Sequence, residues 1–333
     1  MKNNISKFIA HTHTRKKRNK ALLFIPEWAP WFEFKKTKFF RVVKCKNFVQ
    51  IKKYIYAYTL SNLFNYKKTI FVVTDLLVRV FANEKQIKII CNLFKKYKIK
   101  SIFYFADTLY RYDTDFQKPF NRDAILNIAN KFDHILTYCE SDAKKYNLKY
   151  LPLPFKYKNP NYVNGLKYDL SFVANVVTLE RGKIIIKLID NRFLKKLKSF
   201  FYPADLIHNF FKNTPEEKYF KYEPLSNSIA LQEYFIKSNT ILYLIQKDDF
   251  PFSLRDFCVK NNKKILTNSK VTYDLLNEPN KVRYIEDMSK FSEEDAKWCK
   301  EVDHSPYSQH CFDLCDETKF AESIIKVISE NEK

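Results

Sequence analysis

Carboxylates that follow apolar strands are the first candidates for chemistry in this sequence. Asp107 ends the segment IFYFAD, and Glu27 follows the apolar run ALLFIP. A carboxylate at the carboxyl end of a strand lies where α/β sheets bind ligands, so Asp107 can act as general base toward an acceptor hydroxyl. The alternative for both residues is the capping of a following helix. Trp28, next to Glu27 in a loop stiffened by prolines, offers a ring that can stack on a sugar or a lipid head group.

A strand-to-helix turn is the first candidate for phosphate binding. The segment YDLSFVANVVTLERGKIIIKL predicts a buried strand, a loop that begins at Asn175, and a helix that opens near Arg181. Free backbone N–H groups at such a turn favour a phosphate, to which Arg181 can add a bidentate contact. The alternative is an ordinary turn with a solvated arginine.

A second strand, loop and helix follow in the segment SNTILYLIQKDDFPFSLRDFCVKNNKKILTN. The loop leaves the carboxyl end of a strand and carries Asp248, Asp249, Ser253 and Arg255. These residues lie where a ligand of this half would bind, although adjacent carboxylates on a loop are more often solvated than catalytic.

Cysteines and histidines near the end of the chain permit two interpretations. Cys299, His304, His310, Cys311 and Cys315 include the types that bind zinc, but their spacing matches no standard zinc knuckle. We therefore expect no metal site and favour reduced, structural cysteines. The odd total of seven cysteines indicates a reducing cytoplasm.

Two glycines in 333 residues exclude whole classes of protein. The Walker loop, the GxGxxG dinucleotide motif and the nucleophile elbow all need glycines that this chain lacks. Its apolar runs are also too short to cross a bilayer, and its first residues lack the apolar core of a secretory signal.

The net positive charge of the chain lies entirely in its first half. Residues 1–167 contain 34 basic and 11 acidic residues (34 − 11 = +23), whereas residues 168–333 contain 25 and 26 (25 − 26 = −1). This asymmetry indicates that the first half faces an anionic partner: a phospholipid surface, a nucleic acid or a phosphorylated substrate.

The order of apolar runs predicts an α/β fold of two Rossmann-like domains that face a cleft. We expect a basic leader over residues 1–20, one domain over 21–160 and a second over 168–333, joined by a linker rich in proline and asparagine. Whether the C-terminal helix 318–329 packs back on the first domain stays open. The predicted strands alternate with helices, as parallel sheets require. They span residues 21–25, 40–44, 70–73, 101–105, 134–138 and 150–153 in the first half, and 169–175, 197–202, 240–245, 264–267 and 283–285 in the second.

Three blocks of this sequence resemble a family of bacterial glycosyltransferases with two Rossmann-like domains (the GT-B architecture), which act in lipopolysaccharide, lipooligosaccharide or capsule assembly. The first block is KFDHILTYCESDAKKYNLKYLPLPF (131–155), and the second is YDLSFVAN (168–175) with Arg181. The third runs from residue 238 to 277 and contains SLRDFC and KKILTNSKVTYDLLN. IFYFAD (102–107) is similar to another strand of the family.

The resemblance implies a function for these residues. A sugar would pass from a nucleotide-sugar donor to a membrane-associated surface-glycan acceptor, without a metal and with no cofactor, since the nucleotide sugar is itself a substrate. Asn175, Arg181, Ser253, Arg255 and position 258 would form the donor and diphosphate site, together with backbone amides of loops 175–178 and 250–253. Asp107, Glu27 and Trp28 would lie on the acceptor side. The expected location is the cytoplasm, peripheral on the inner face of the cytoplasmic membrane.

The sequence departs from the family at the donor site. Cys258 stands where the family has a glutamate that would contact the ribose or the donor sugar, Pro251 replaces a glycine, and Asp249 replaces a glutamine. A catalytically degenerate scaffold or binding protein of the same fold is therefore the second hypothesis. A nucleic-acid-binding protein is the third, supported by charge but by no known nucleic-acid motif.

Overall fold

The computed structural model describes residues 20–26, 40–62, 69–78, 84–114, 120–152, 154, 165–174, 179–203, 212–215, 234–245 and 252–329. The chain divides into two compact units. The first unit comprises Met1–Lys156 with Asp316–Lys333, and the second unit is Tyr157–Cys315.

The first unit is built on a six-stranded parallel sheet in the order β2-β1-β3-β4-β5-β6. Its strands are rich in β-branched and aromatic residues, and those at the centre are apolar on both faces, as expected of a sheet covered on two sides. The strands are β1 (Lys20–Pro26), β2 (Phe40–Cys45), β3 (Thr69–Thr74), β4 (Lys100–Phe105), β5 (His134–Thr137) and β6 (Lys149–Tyr150).

Helices of the first unit cover this sheet with apolar sides. Phe24, Phe71 and Phe103 of the sheet pack in one core with Ile55 and Phe94 of two helices. The helices in chain order are α1 (Phe48–Asn62), α2 (Asp75–Val78), α3 (Glu84–Lys96), α4 (Arg111–Thr114), α5 (Arg122–Ala129) and α6 (Glu140–Tyr146).

The second unit is built on a five-stranded parallel sheet in the order β11-β10-β9-β7-β8. Central strand β9 is buried along its whole length, and it is paired with β7 on one side and β10 on the other. The strands are β7 (Tyr168–Ala174), β8 (Ser199–Pro203), β9 (Ser238–Tyr243), β10 (Lys264–Thr267) and β11 (Val282–Tyr284).

Five helices of the second unit and one of the first complete the described α-helices. Those of the second unit are α7 (Leu179–Asp190), α8 (Phe252–Lys260), α9 (Lys270–Leu276), α10 (Glu293–Lys300) and α11 (Gln309–Leu314). The last helix, α12 (Glu317–Ser329), belongs to the first unit. Its Phe320 ring meets Tyr104 of β4 edge-on, with ring centroids 5.6 Å apart.

Polar side chains at the amino ends of the second sheet hold the last turn of α10. Asn239 donates to the carbonyls of Cys299 (2.6 Å) and Glu301 (2.7 Å). Lys264 Nζ donates to the carbonyls of Trp298 and Glu301. These bonds satisfy carbonyls that a helix leaves open at its C-terminus, so this edge of the sheet has a structural role.

The two parallel sheets with their covering helices confirm the predicted α/β fold of two Rossmann-like domains. The bounds of the strand predicted over 150–153 are wrong, since β6 begins at Lys149 and ends at Tyr150. Leu151 N, one residue beyond the end of β6, still donates to Thr137 O. The predicted leader and most of the predicted linker lie outside the described residues.

Candidate functional site

The second sheet has a topological switch point between β7 and β9. From β7 the chain moves outward to β8 and then returns across β7 to form β9, and β7 and β9 pair directly. The connections that leave these two neighbouring strands therefore diverge, which opens a crevice beyond their carboxyl ends where open α/β sheets bind ligands. Helix α7 follows β7, and helix α8 follows β9. The two segments predicted to bind a diphosphate are thus the two at the switch point.

Arg181 lies in the first turn of α7, on the side that faces the sheet. The residue is 6% exposed, and its guanidinium carbon is 5.8 Å from the centre of the Phe172 ring of β7. This contact packs the arginine against the strand whose end forms one side of the switch point. A positive charge is thereby held next to the N-terminus of a twelve-residue helix, where an anion is favoured.

Arg255 lies in the interior of the second unit, bound to its neighbour in the chain. Its Nε and one terminal nitrogen lie 2.7 Å and 2.6 Å from Asp256 Oδ1, and both side chains are fully buried. The same terminal nitrogen donates to the carbonyl of Leu314 (3.2 Å), and Cys315 Sγ donates to Asp256 Oδ1 (3.0 Å). A diphosphate contact would require Arg255 to leave this ion pair, and the predicted contact stays a prediction.

Cys258 is fully buried in the apolar core of the second unit, among side chains that include Phe257, Leu276 and Tyr307. Burial raises the pKa of its thiol far above the ordinary value. The thiol is therefore neutral and faces protein rather than solvent, so in this conformation it presents no group to a ribose.

Other predicted site residues are only partly described or lie outside the described residues. Ser253 belongs to the first turn of α8, and its backbone is therefore at the switch point. Asn175, Glu27 and Trp28 lie outside the described residues. Asn175 follows the last residue of β7, and Glu27 follows the last residue of β1, so both remain candidates by their position in the chain.

The carboxyl edge of the first sheet holds a loop between two buried aspartates. Asp75, directly after β3, accepts hydrogen bonds from Ala106 N (2.8 Å) and from the Tyr112 hydroxyl (2.7 Å). Asp142, in the first turn of α6, accepts from Leu109 N (2.8 Å). The two carboxylates thus fix both halves of the loop that connects β4 to α4.

Asp107 lies in the middle of this fixed loop. It is 6% exposed, and its Oδ1 accepts a hydrogen bond from Thr108 N at 3.1 Å. The Thr108 hydroxyl is buried and finds no hydrogen-bond partner within the part of the chain that the structure describes. The Asp107 carboxylate is thus held on a fixed loop at the carboxyl edge of the sheet, where a carboxylate can act as a base toward a substrate hydroxyl.

Sequence reasoning did not find Asp75, Asp142 or Tyr112. Asp75 carries the same signal as Asp107, an aspartate that ends an apolar strand run (TIFVVTD), and could have been found by it. Asp142 and Tyr112 lack such a signal, because their roles depend on bonds to residues more than thirty positions away.

The candidate zinc residues are packed as ordinary side chains in the second unit. Cys311 Sγ donates to the carbonyl of Leu276 (3.3 Å), and a ring nitrogen of His310 lies 3.0 Å from the carbonyl oxygen of Leu275. Within the described ranges, no three His, Cys, Asp or Glu side chains are grouped closely enough to hold a metal ion. None of the described helices combines the length and the apolar character that a membrane span requires.

Comparison with known proteins finds similarity at the level of overall structure only. No protein-family model and no curated protein matches this chain. A UDP-glucosyltransferase of Polygonum tinctorium that glucosylates indoxyl is 8% identical, with a TM-score of 0.39 over 94% of this chain and 99% of that one. A Medicago truncatula structure complexed with UDP-glucose is 10% identical, with a TM-score of 0.33 over 93% and 98%. At these values neither activity transfers to this chain.

Proposed function

We propose that this protein is a glycosyltransferase of the GT-B type, which moves a sugar from a nucleotide-sugar donor to a surface-glycan acceptor at the membrane. One observation carries the proposal. The two blocks that resemble the donor domain of such enzymes are the two strand-to-helix segments at the switch point of the second sheet, β7 with α7 and β9 with α8. Position in the fold and resemblance in sequence therefore point to the same edge.

The donor diphosphate would bind at this edge. Backbone N–H groups at the starts of α7 and α8 and the charge of Arg181 would compensate the negative charge that the diphosphate gains as it leaves. With that compensation supplied by the protein, we propose that transfer needs no divalent cation. Ser253 and Asn175 are the proposed polar partners at the two turns.

The acceptor would bind on the first unit, near Asp107. An oxygen of the acceptor hydroxyl would form a bond to the anomeric carbon of the donor sugar, while the bond from that carbon to the diphosphate oxygen breaks. The hydroxyl proton would pass to the Asp107 carboxylate. Glu27 and Trp28, which follow β1, are proposed to contact the glycan further from the reacting atoms.

The acceptor class follows from charge. The first half of the chain carries +23, so a phosphorylated or lipid-linked glycan in an anionic membrane is the partner that it would attract. We propose that the protein works peripherally on the inner face of the cytoplasmic membrane.

A second candidate function is a scaffold or binding protein that keeps the fold without the reaction. The buried position of Cys258 favours it, because the glutamate that the related family carries there has been replaced by a thiol within the core. On this candidate, a nucleotide binds weakly or not at all, and no sugar is transferred.

A binding panel followed by a transfer assay tests the proposal. The full chain is titrated calorimetrically with UDP, GDP, CMP and their sugars, and the nucleotide that binds selects the radiolabelled donor for transfer to an extracted glycolipid. The proposal predicts that one nucleotide class binds and that its sugar is transferred with chelator present. A folded protein that binds none of these nucleotides would contradict it, and binding without transfer would favour the scaffold.

A further inference from the structure

The outward sides of helices α1 and α3 form one basic surface that also exposes apolar side chains. We call it the α1/α3 face and define it by Val49, Lys53 and Tyr56 of α1 with Lys85, Lys88 and Ile89 of α3. All six residues are exposed.

The geometry of the two helices places these side chains on one surface. Ile51 and Ile55 of α1 are buried in the same core as Ile87, Ile90 and Phe94 of α3, so both helices pack on the same side of the first sheet. The spacing 49, 53, 56 on α1 and the spacing 85, 88, 89 on α3 each follow one side of a helix. Because α1 and α3 contact each other, their outward sides adjoin.

The apolar members of the α1/α3 face are exposed to an unusual degree for their type. Val49 is 55% exposed, Tyr56 41% and Ile89 42%. These are three of the six large apolar residues that are exposed among the described ones, and all three lie on this pair of helices. Exposed apolar groups gathered on one surface indicate a binding partner that removes them from water.

The charge of the same segments is almost purely positive. Helix α1 contains two basic and no acidic residues, and helix α3 contains four basic residues and one acidic residue, Glu84. A partner of this surface must therefore be anionic.

We propose that the α1/α3 face binds the surface of an anionic lipid bilayer, with lysines against lipid phosphates and with Val49, Tyr56 and Ile89 in the interfacial layer. A nucleic-acid backbone or an acidic protein would explain the lysines alone, whereas a bilayer also takes up the apolar side chains that stand between them. Lysine stems add to this burial while their amino groups stay at the phosphates. The inference extends the proposed function, which places the acceptor in a membrane.

Vesicle binding by the full chain tests the inference without any sugar. The vesicles contain phosphatidylcholine alone or mixed with an equal amount of phosphatidylglycerol. Two double variants remove the two kinds of contact: Lys85→Glu with Lys88→Glu, and Val49→Gln with Ile89→Gln. The matched control is Lys183→Glu with Lys195→Glu, which makes the same change in charge at exposed lysines of the second unit.

We expect the wild type to bind the anionic vesicles and not the neutral ones. Reversal of Lys85 and Lys88 should weaken binding by at least about tenfold, since each lysine near an anionic surface contributes roughly fivefold in affinity. The glutamine variant should weaken binding severalfold even at low salt, and the control should bind within about twofold of wild type.

A fluorophore on the surface locates the contact. The seven native cysteines are buried, so a polarity-sensitive dye can be attached at Ile89→Cys and, as a control, at Lys183→Cys. We expect anionic vesicles to shift the emission of the dye to the blue at position 89 and not at position 183.

Three results would overturn the inference. The wild type could fail to bind anionic vesicles, both α1/α3 variants could bind them with the affinity of the wild type, or the lysines could support binding to DNA in place of vesicles. The proposed function fails separately. Nucleotide binding by wild type without vesicle binding would leave the transferase proposal in place and remove this surface from it.

Discussion

Arg255 and Asp256 form an ion pair between consecutive residues in the interior of the second unit. The guanidinium reaches Asp256 Oδ1 through two nitrogens, at 2.7 Å and 2.6 Å, and it also donates to the carbonyl of Leu314. Cys315 donates to the same carboxylate oxygen. This group of bonds ties the start of α8 to the end of α11, so a change at Arg255 acts on the fold before it acts on any ligand.

Removal of one member of this pair should therefore strongly lower the free energy of unfolding of the second unit. Arg255→Met leaves the Asp256 carboxylate buried without its cation, and we expect a loss of about 3–5 kcal/mol in the free energy of unfolding. The double change Arg255→Met with Asp256→Leu should cost clearly less than the sum of the two single changes, because it leaves no buried charge. Urea denaturation followed by circular dichroism measures all three.

The control for this experiment is an exposed pair in the first unit. Arg122 and Asp113 approach to 2.9 Å with more than a third of each side chain exposed. Arg122→Met should cost no more than about 1 kcal/mol. Equal losses at Arg255 and Arg122 would contradict the buried ion pair.

The bond between Tyr112 and Asp75 should stabilise the loop that carries Asp107. Tyr112→Phe removes a hydroxyl that donates to a buried carboxylate, and we expect a loss of about 1.5–3 kcal/mol in urea denaturation. Tyr56→Phe, at an exposed tyrosine of the same unit, should stay within about 0.5 kcal/mol of wild type. If Tyr112→Phe were as stable as Tyr56→Phe, the loop would not depend on this bond.

The proposed base predicts a separation of transfer from donor binding. Asp107→Asn keeps the size of the side chain and the acceptor for Thr108 N, but it cannot take a proton. We expect the transfer rate to fall by about 10²–10⁴-fold while nucleotide affinity is unchanged. Asp123→Asn, at an exposed aspartate of the first unit, is the control and should transfer normally. Normal transfer by Asp107→Asn would remove Asp107 from the mechanism.

Lys264 predicts an unusual dependence of stability on alkaline pH. Burial lowers its pKa to about 8 in the folded protein, against an ordinary value of 10.5 that applies to the unfolded chain. Between pH 8 and pH 10.5 the unfolded chain thus holds the proton more tightly, so the contribution of Lys264 to stability rises with pH and is smallest below pH 8. The free energy of unfolding of the wild type, minus that of Lys264→Met, should therefore increase from pH 7.5 to pH 9.5. A difference independent of pH would contradict the lowered pKa.

Local sequence pattern predicted most of the fold, because alternating apolar runs and helical stripes are local signals. The strand predicted over 264–267 has those bounds in the structure, and the helix that the apolar spacing of residues 87, 90, 93 and 94 predicts over 83–98 spans Glu84–Lys96. That helix ends early because Lys98 takes a left-handed conformation (φ 50°), and Ile99 N donates back to Phe94 O. No glycine or proline in the sequence near Lys98 predicts this end of the helix.

The candidate site was less predictable, because burial and partners depend on distant residues. The sequence assigned Arg255 to a ligand, but its surroundings are set by Leu314 and Cys315, almost sixty positions away. By contrast, the position of Asp107 at the carboxyl edge of the first sheet could be predicted from the sequence, since a residue that comes just after a buried strand must lie at that edge. Edge positions follow from sequence order, whereas the state of a buried charge follows only from tertiary packing.

Nucleotide binding by Arg181→Met, compared with Arg192→Met, tests the central claim most directly. Methionine keeps an unbranched apolar side chain at position 181 and removes the charge that lies over the Phe172 ring. Arg192 lies beyond the opposite end of α7, at its C-terminus, and is exposed. With a donor site at the switch point of the second sheet, calorimetry should show nucleotide affinity at least about tenfold weaker for Arg181→Met, since a charge-assisted hydrogen bond contributes about 1.5–3 kcal/mol. Arg192→Met should bind as wild type does. Equal affinity in both variants, with the protein folded, would contradict the assignment of the donor site to this edge.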